Sequence, residues 1–314
     1  MRVLFQGAGA IGIAGAALFT DSHDVAVVSR TGGDQPRNAY PRRVSDLDPT
    51  DSDSGSGSAG WTVNRVAATR RVTVTGWERA REAAPWDLIV LSTRPGDLDP
   101  AVASAIREIS PSFVAITSQV DGDLERAQRE FPDAEAVIFG PAFLSERVEA
   151  GTVAAGREVR YWAPAGLPRF LIGGSRNGVR SLARGLGGLV QPVPLVAVLA
   201  PPAVFIPFVA ELSIRDGDWA ALKSHLKRPA LAAAEAVRTR LGMRVPFSGH
   251  LARFVLKTME TIVPIDVTAY AGRHFARHRG QTRDMLTGWA SSGHPTPTLK
   301  EQLAALDEQT AVRA

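Results

Sequence analysis

The chain has 314 residues, 45% of them hydrophobic and 22% charged, with a formal net charge of +4, which is enough for two domains that each bury a core. The absence of cysteine excludes disulfides, thiolate metal sites and cysteine nucleophiles, and fits a cytoplasmic protein. Its basic residues are mostly arginines scattered among acids and alanines, so no nucleic-acid surface is expected, and no apolar run is read as approaching the roughly 20 residues of a membrane span.

The first turn anchors the fold. Val3, Leu4 and Phe5 form an apolar run that leads into Gly7-Ala8-Gly9-Ala10-Ile11-Gly12 and then into an Ala-rich helical segment ending near Phe19, so the N-terminus reads as a strand rather than an export signal. Strand, tight turn and helix with this glycine spacing predict a dinucleotide cradle. Gly7 permits the turn, Gly9 lets the main chain approach a pyrophosphate, and Gly12 lets the helix pack on the strand.

A second strand, Asp24 to Val28, ends at Ser29-Arg30. An acidic residue here would accept from the ribose 2′-OH of NAD, whereas Arg30 can pair with the 2′-phosphate of NADP, so NADP(H) is the expected cofactor. Residues 31–60 are rich in Gly, Ser, Asp and Pro and are expected to be a mobile insertion without regular structure, with a lid over the nucleotide as the functional alternative. Trp61 to Thr75 reads as a hairpin or a pair of strands.

Trp86 to Arg94 is a buried strand with a polar end, which places Thr93 and Arg94 at the carboxyl edge of the sheet, where ligands bind. A helix over Pro100 to Ile109 comes next, then a strand, Phe113 to Thr117, that delivers Ser118 and Gln119 to the same edge. A helix from Asp123 to Phe131 and a strand from Ala136 to Gly140 continue the alternation. Short strands between Gly151 and Gly173 and a helix from Arg176 to Gly187 complete a doubly wound parallel sheet of Rossmann type over 1–195. From 196 to 314 the apolar spacing is helical, at Val204 to Ile214, Trp219 to Leu226, Pro229 to Leu241, Leu251 to Ile262, Val267 to Arg277, Asp284 to Ser291 and Leu299 to Leu306. This predicts an all-α substrate domain, whose apolar stretches could also serve a homodimer.

GAGAIG, the SR closing the second strand, VLSTR, the SQVDG turn, FGPAFLSERVEAGTV and the helical tail, taken in this order, resemble ketopantoate reductase. The resemblance implies an NADPH-binding Rossmann domain, a helical domain, and hydride transfer to a 2-oxo acid with a lysine as general acid. Arg94 falls where the family carries a nucleotide-contacting lysine, and Gln119 lies near its asparagine. Where the family's catalytic lysine belongs, this chain reads VAVLAPPAVFIPFVAELS over 196–213, with neither lysine nor asparagine. Near the family's late acidic motif it reads RHFARHRGQT over 273–282, without a carboxylate.

Two residues are candidates for the proton donor. His274 shares a helical face with His278 and Gln281 at i, i+4 and i+7, a pattern that also fits a solvated basic face; with no third ligand, no metal is expected. Glu211, the sole charge in its apolar helix, is either buried and catalytic or a surface carboxylate near Arg215. Lys257 and Glu260 read as a solvated pair, and His225, between Lys223 and Lys227, as surface. The expected function is NADPH-dependent reduction of a 2-oxo acid, carbonyl or imine. The alternatives are a nucleotide-binding sensor or scaffold, and an enzyme of different reaction.

Overall fold

A computed structural model describes residues 1–29, 37–40, 70–147, 159–163, 166–262 and 279–313. The chain divides into two compact units, Met1–Val198 and Leu199–Ala314.

The first unit is built on an eight-stranded sheet. Its strands are β1 (Arg2–Gln6), β2 (Asp24–Val28), β5 (Val74–Thr75), β6 (Leu88–Leu91), β7 (Phe113–Ile116), β8 (Glu135–Pro141), β11 (Phe170–Gly174) and β12 (Val190–Pro192). Their spatial order is β12-β11-β8-β7-β6-β1-β2-β5. From β5 to β8 every pairing is parallel, and β11 joins β8 antiparallel with β12 parallel beside it. The order reverses at β1, which pairs with β2 on one side and β6 on the other, and this is where a doubly wound sheet opens its ligand crevice.

Both faces of the sheet are buried, which is why its central strands are apolar without alternation. Val3, Phe5, Leu88, Val90, Ala115, Val137 and Phe139 pack in one cluster with α1 (Ala10–Phe19) and α5 (Arg176–Leu186). The intervening Leu4, Ile89, Val114, Ile116 and Ile138 are equally buried and point to the opposite face. That face carries α2 (Trp77–Glu82), α3 (Pro100–Ile109) and α4 (Asp123–Glu130). Phe170 of β11 stands at the centre of an aromatic group, with Phe139, Phe143 and Phe19 at centroid separations of 4.9, 5.3 and 5.7 Å.

Helix α1, AIGIAGAALF, is apolar on every side, so one sheet cannot satisfy it. Its other side meets a four-stranded sheet of order β4-β3-β10-β9, made from β3 (Arg37–Tyr40), β4 (Arg70–Val72), β9 (Leu144–Arg147) and β10 (Val159–Trp162). Strand β3 lies inside the segment expected to hold no regular structure. It forms because antiparallel pairing to β4 and parallel pairing to β10 supply main-chain bonds that its RNAY composition does not advertise. The rest of 31–60, and 61–69, lie outside the described residues.

The second unit holds α6 (Leu195–Ile214, whose first turn belongs to the first unit), α7 (Trp219–Ser224), α8 (Lys227–Leu241), α9 (Gly249–Ile262), α10 (Arg279–Ala290) and α11 (Pro297–Arg313). Helix α6 begins well before the expected Val204, with Pro201, Pro202 and Pro207 inside it. It is therefore an apolar helix long enough to cross a membrane by length and composition, which corrects the reading of no such run. Its carboxyl-terminal half is instead buried within the helical unit, where Gln302 of α11 donates to the Pro207 carbonyl over 2.8 Å. Glu235 of α8 accepts from the main-chain N–H groups of Thr298 and Leu299, a carboxylate at the positive end of α11.

Candidate functional site

The carboxyl ends of β1, β2, β6 and β7 come together because these strands run parallel and in register. Gln6, the one polar residue of β1 beyond its first position, is buried and laces β1 to the loop after β6. Its amide donates to Thr93 Oγ1 (3.1 Å) and accepts from Thr93 N (3.2 Å), while Ser92 Oγ donates to its carbonyl at 2.6 Å.

The chain then turns through Gly7, at φ +95°, where the main-chain N–H bonds Val28 O of β2 at 2.9 Å. A side chain there would run into Ser92 Oγ, and one at Gly12 would overlap the Gly7 carbonyl oxygen. Only glycine fits at either place. Gly9 differs, since no described residue lies within 4 Å of where its Cβ would be. Among the described residues no side chain caps the first turn of α1, which itself holds no acidic residue. Ala8 is buried against the core, while Ala10 and Ile11 are half-buried at the helix start. The result is a positive helix end without a counter-charge among the described residues, a cradle suited to the pyrophosphate of a dinucleotide.

Ser29 follows β2, with its N–H bonded to Thr75 O at 3.1 Å. Arg30 lies outside the described residues. Arg94 is held from behind by Asp123, the first residue of α4, through Nε to Oδ2 at 3.0 Å and Nη2 to Oδ1 at 3.4 Å. The Asp123 side chain is 4% exposed and also accepts from Ser118 Oγ. A fork-to-carboxylate pair of this kind fixes the plane of the guanidinium. Gln119, past the end of β7, reaches toward Gly140 of β8: its Nε2 lies 3.2 Å from where a Cβ on Gly140 would be, beside Val198.

Glu211 is fully buried, as one of its two sequence readings required. Its surroundings are those of a structural ion pair. Arg215 donates to Oε1 at 2.9 Å, Arg228 donates to both oxygens at 2.8 and 3.0 Å, and Gln302 donates to Oε2 at 3.3 Å. The same contact holds the Arg228 guanidinium above its ordinary range, with the Glu211 hydrogen bond as the main cause. His274 and His278 lie outside the described residues. Glu260 accepts from Lys223 of α7 at 2.9 Å and from the Trp219 indole; its carboxyl is held below the ordinary carboxylate range mainly by the Lys223 hydrogen bond, with the Lys257 charge adding to it, so Lys223 joins the group read as Lys257 and Glu260 alone. Among the described residues no three His, Asp or Glu side chains are grouped to hold a metal.

The sequence alone did not single out Gln6, Ser92 and Asp123. A signal existed for Gln6, a lone amide in an apolar strand, and for Asp123, which follows a glycine at φ +82° in a turn between strand and helix.

No protein-family model and no curated protein matches the chain in sequence. Solved structures match it in fold along nearly its whole length. D-mandelate dehydrogenase, solved with NADH and anilino(oxo)acetate, aligns at a TM-score of 0.66 and 11% identity, covering 99% of each chain. A 2-dehydropantoate 2-reductase from Geobacter metallireducens gives 0.60 and 14%, covering 98% of this chain and 99% of its own. A dimeric ketopantoate reductase from Staphylococcus aureus gives 0.55 and 12%, covering 98% and 100%. At such identities the likeness is one of fold: a Rossmann-type sheet followed by a helical region.

Proposed function

We propose that this chain is an oxidoreductase related to the ketopantoate reductases, using NADP(H) to reduce a 2-oxo acid, a related carbonyl or an imine. The observation that carries the reading is the cradle from Gly7 to Gly12, with space in front of Gly9 and an uncapped α1 behind it. These residues would hold the pyrophosphate, Arg30 and Arg94 the 2′-phosphate, and Ser29, Thr93 and Gln119 the ribose and nicotinamide ends. The fold likeness to NADH-bound D-mandelate dehydrogenase supports a nicotinamide cofactor, and Arg30 favours the phosphorylated form.

When bound, the nicotinamide supplies the hydride that reaches the acceptor carbon. The chain's part is to orient the acceptor, exclude water and deliver a proton to the acceptor's oxygen or nitrogen. With no lysine over 196–213 and Glu211 committed to arginines, His274 is the residue assigned that proton. We assign the protein to the cytoplasm and its helical unit to a homodimer interface; the Staphylococcus aureus enzyme of similar fold is dimeric.

Titration of purified protein with NADPH and NADH, and of its Arg30→Asp variant, tests the cofactor. Tighter NADPH binding that Arg30→Asp abolishes supports the assignment; equal affinities overturn it. Turnover with a panel of 2-oxo acids tests the reaction. A second reading, a nucleotide-binding sensor or scaffold, is favoured by the missing lysine, and nucleotide binding without turnover on any acceptor would select it.

A further inference from the structure

In the Rossmann unit, α3, α4 and the turn after Arg94 line a cavity of about 570 Å³. It falls within the size range of small-molecule sites. Its inner wall is apolar, from Pro95, Leu98 and Ala103, and its rim carries three guanidinium groups, Arg107 on α3 and Arg126 and Arg129 on α4. Glu130, also on the rim, bonds Arg107 and neutralises it.

Arg126 and Arg129, at i and i+3 on one face of α4, have no side-chain hydrogen bond or ion pair with any described residue. Two adjacent guanidiniums without a counter-charge repel each other, an arrangement that an anion between them relieves. The Arg126 Nη1 lies where a side chain at position 96 would be, so the guanidinium lies over the main chain at Gly96, on the cavity's edge.

We propose that this cavity binds a small phosphorylated molecule, the phosphoryl group between Arg126 and Arg129 and an apolar body against Leu98 and Ala103. The lining differs from the Gly7 to Gly12 cradle, although Pro95 and Gly96 directly follow Arg94, and the proposal does not depend on the reaction assigned above. A ligand here bridges α3 and α4, and Asp123, which holds Arg94, begins α4.

The test is calorimetric titration with phenyl phosphate and with inorganic phosphate, both in saturating NADPH so that the cradle is filled, on the wild type and on the Arg126→Gln/Arg129→Gln double variant. Both arginines are exposed, and their replacement should leave folding intact. Saturable binding is expected, tighter for phenyl phosphate because of the apolar wall, and weakened about tenfold or more in the double variant with NADPH affinity unchanged. A Gly96→Ala variant, which displaces the Arg126 guanidinium, is expected to weaken phenyl phosphate as well. Inorganic phosphate binding alone, with no gain from the phenyl group, would overturn the apolar part of the proposal. Absence of saturable binding, binding indifferent to the two arginines, or binding seen only without NADPH would overturn it entirely.

Discussion

Glu211 and Arg228 meet edge to edge, with Nε to Oε2 at 2.8 Å and Nη2 to Oε1 at 3.0 Å, around a carboxylate that solvent does not reach. The pair joins α6 to α8, and Gln302 adds α11. Glu211→Ala leaves two partly exposed arginines without their buried carboxylate and is expected to destabilise the helical unit by about 2–3 kcal/mol, read from denaturant unfolding. Glu211→Gln keeps the shape and is expected to cost less. Variants that remain folded should retain turnover per folded molecule, whereas loss of turnover without loss of stability would restore an acid–base role.

The two glycines at the start of α1 should separate folding from binding. Gly12→Ala forces a side chain onto the Gly7 carbonyl and is expected to lower stability by about 1–3 kcal/mol. Gly9→Val enters open space at an extended φ of −83°, so its stability should stay within about 1 kcal/mol of wild type. Its nucleotide affinity should nevertheless fall by about tenfold or more, since the new side chain fills the approach to the helix end. Thermal unfolding and fluorescence titration of the same preparations make the comparison.

Removing Arg94 leaves Asp123 buried without its cation. Arg94→Ala is expected to cost about 2–3 kcal/mol, less than for a fully buried pair because the guanidinium is itself 24% exposed. Asp123→Asn is the more informative change: it loosens Arg94 while leaving it in place. A severalfold drop in the preference for NADPH over NADH is expected, and an unaltered preference would detach Arg94 from the 2′-phosphate.

His23 gives the fold an acid sensitivity. Burial holds its imidazole below the ordinary 6.5, against the opposing pull of the Leu186 carbonyl, which lies 3.3 Å from Nε2. The unfolded chain therefore takes up this proton first as the pH falls. Stability from this residue is complete above pH 6.5, declines as the pH drops through 6.5, and levels off once the folded imidazole is also protonated. Unfolding curves of wild type and His23→Gln should diverge in slope only within that window.

The parallel core was legible because its cause is local. Val3 to Phe5, Leu88 to Leu91 and Val114 to Ile116 are apolar runs too short for helices, each followed by a turn and a helix. The small second sheet was not legible, since RNAY at 37–40 owes its strand to neighbours far along the chain. A hint lay in α1: a helix apolar on all sides demands a second cover, but sequence does not say which residues provide it. Pro201 and Pro202 concealed the beginning of α6, since prolines in a helix interior ordinarily argue for its end. At the candidate site, spacing pointed to Gly7, Gly9 and Gly12, and the turn leaves no room for a side chain at the first and the last of them. The bond between Arg94 and Asp123 joins different strand–helix units and requires the tertiary fold.

Strands β3 and β4 lie side by side, with Ala39 opposite Arg70 and Arg37 opposite Val72. The ladder joins residues far apart along the chain, and β3 is flanked on both sides, by β4 and β10. A proline at Asn38 would therefore remove a bond from the middle of this small sheet and loosen the cover of α1 without any change in the helix itself.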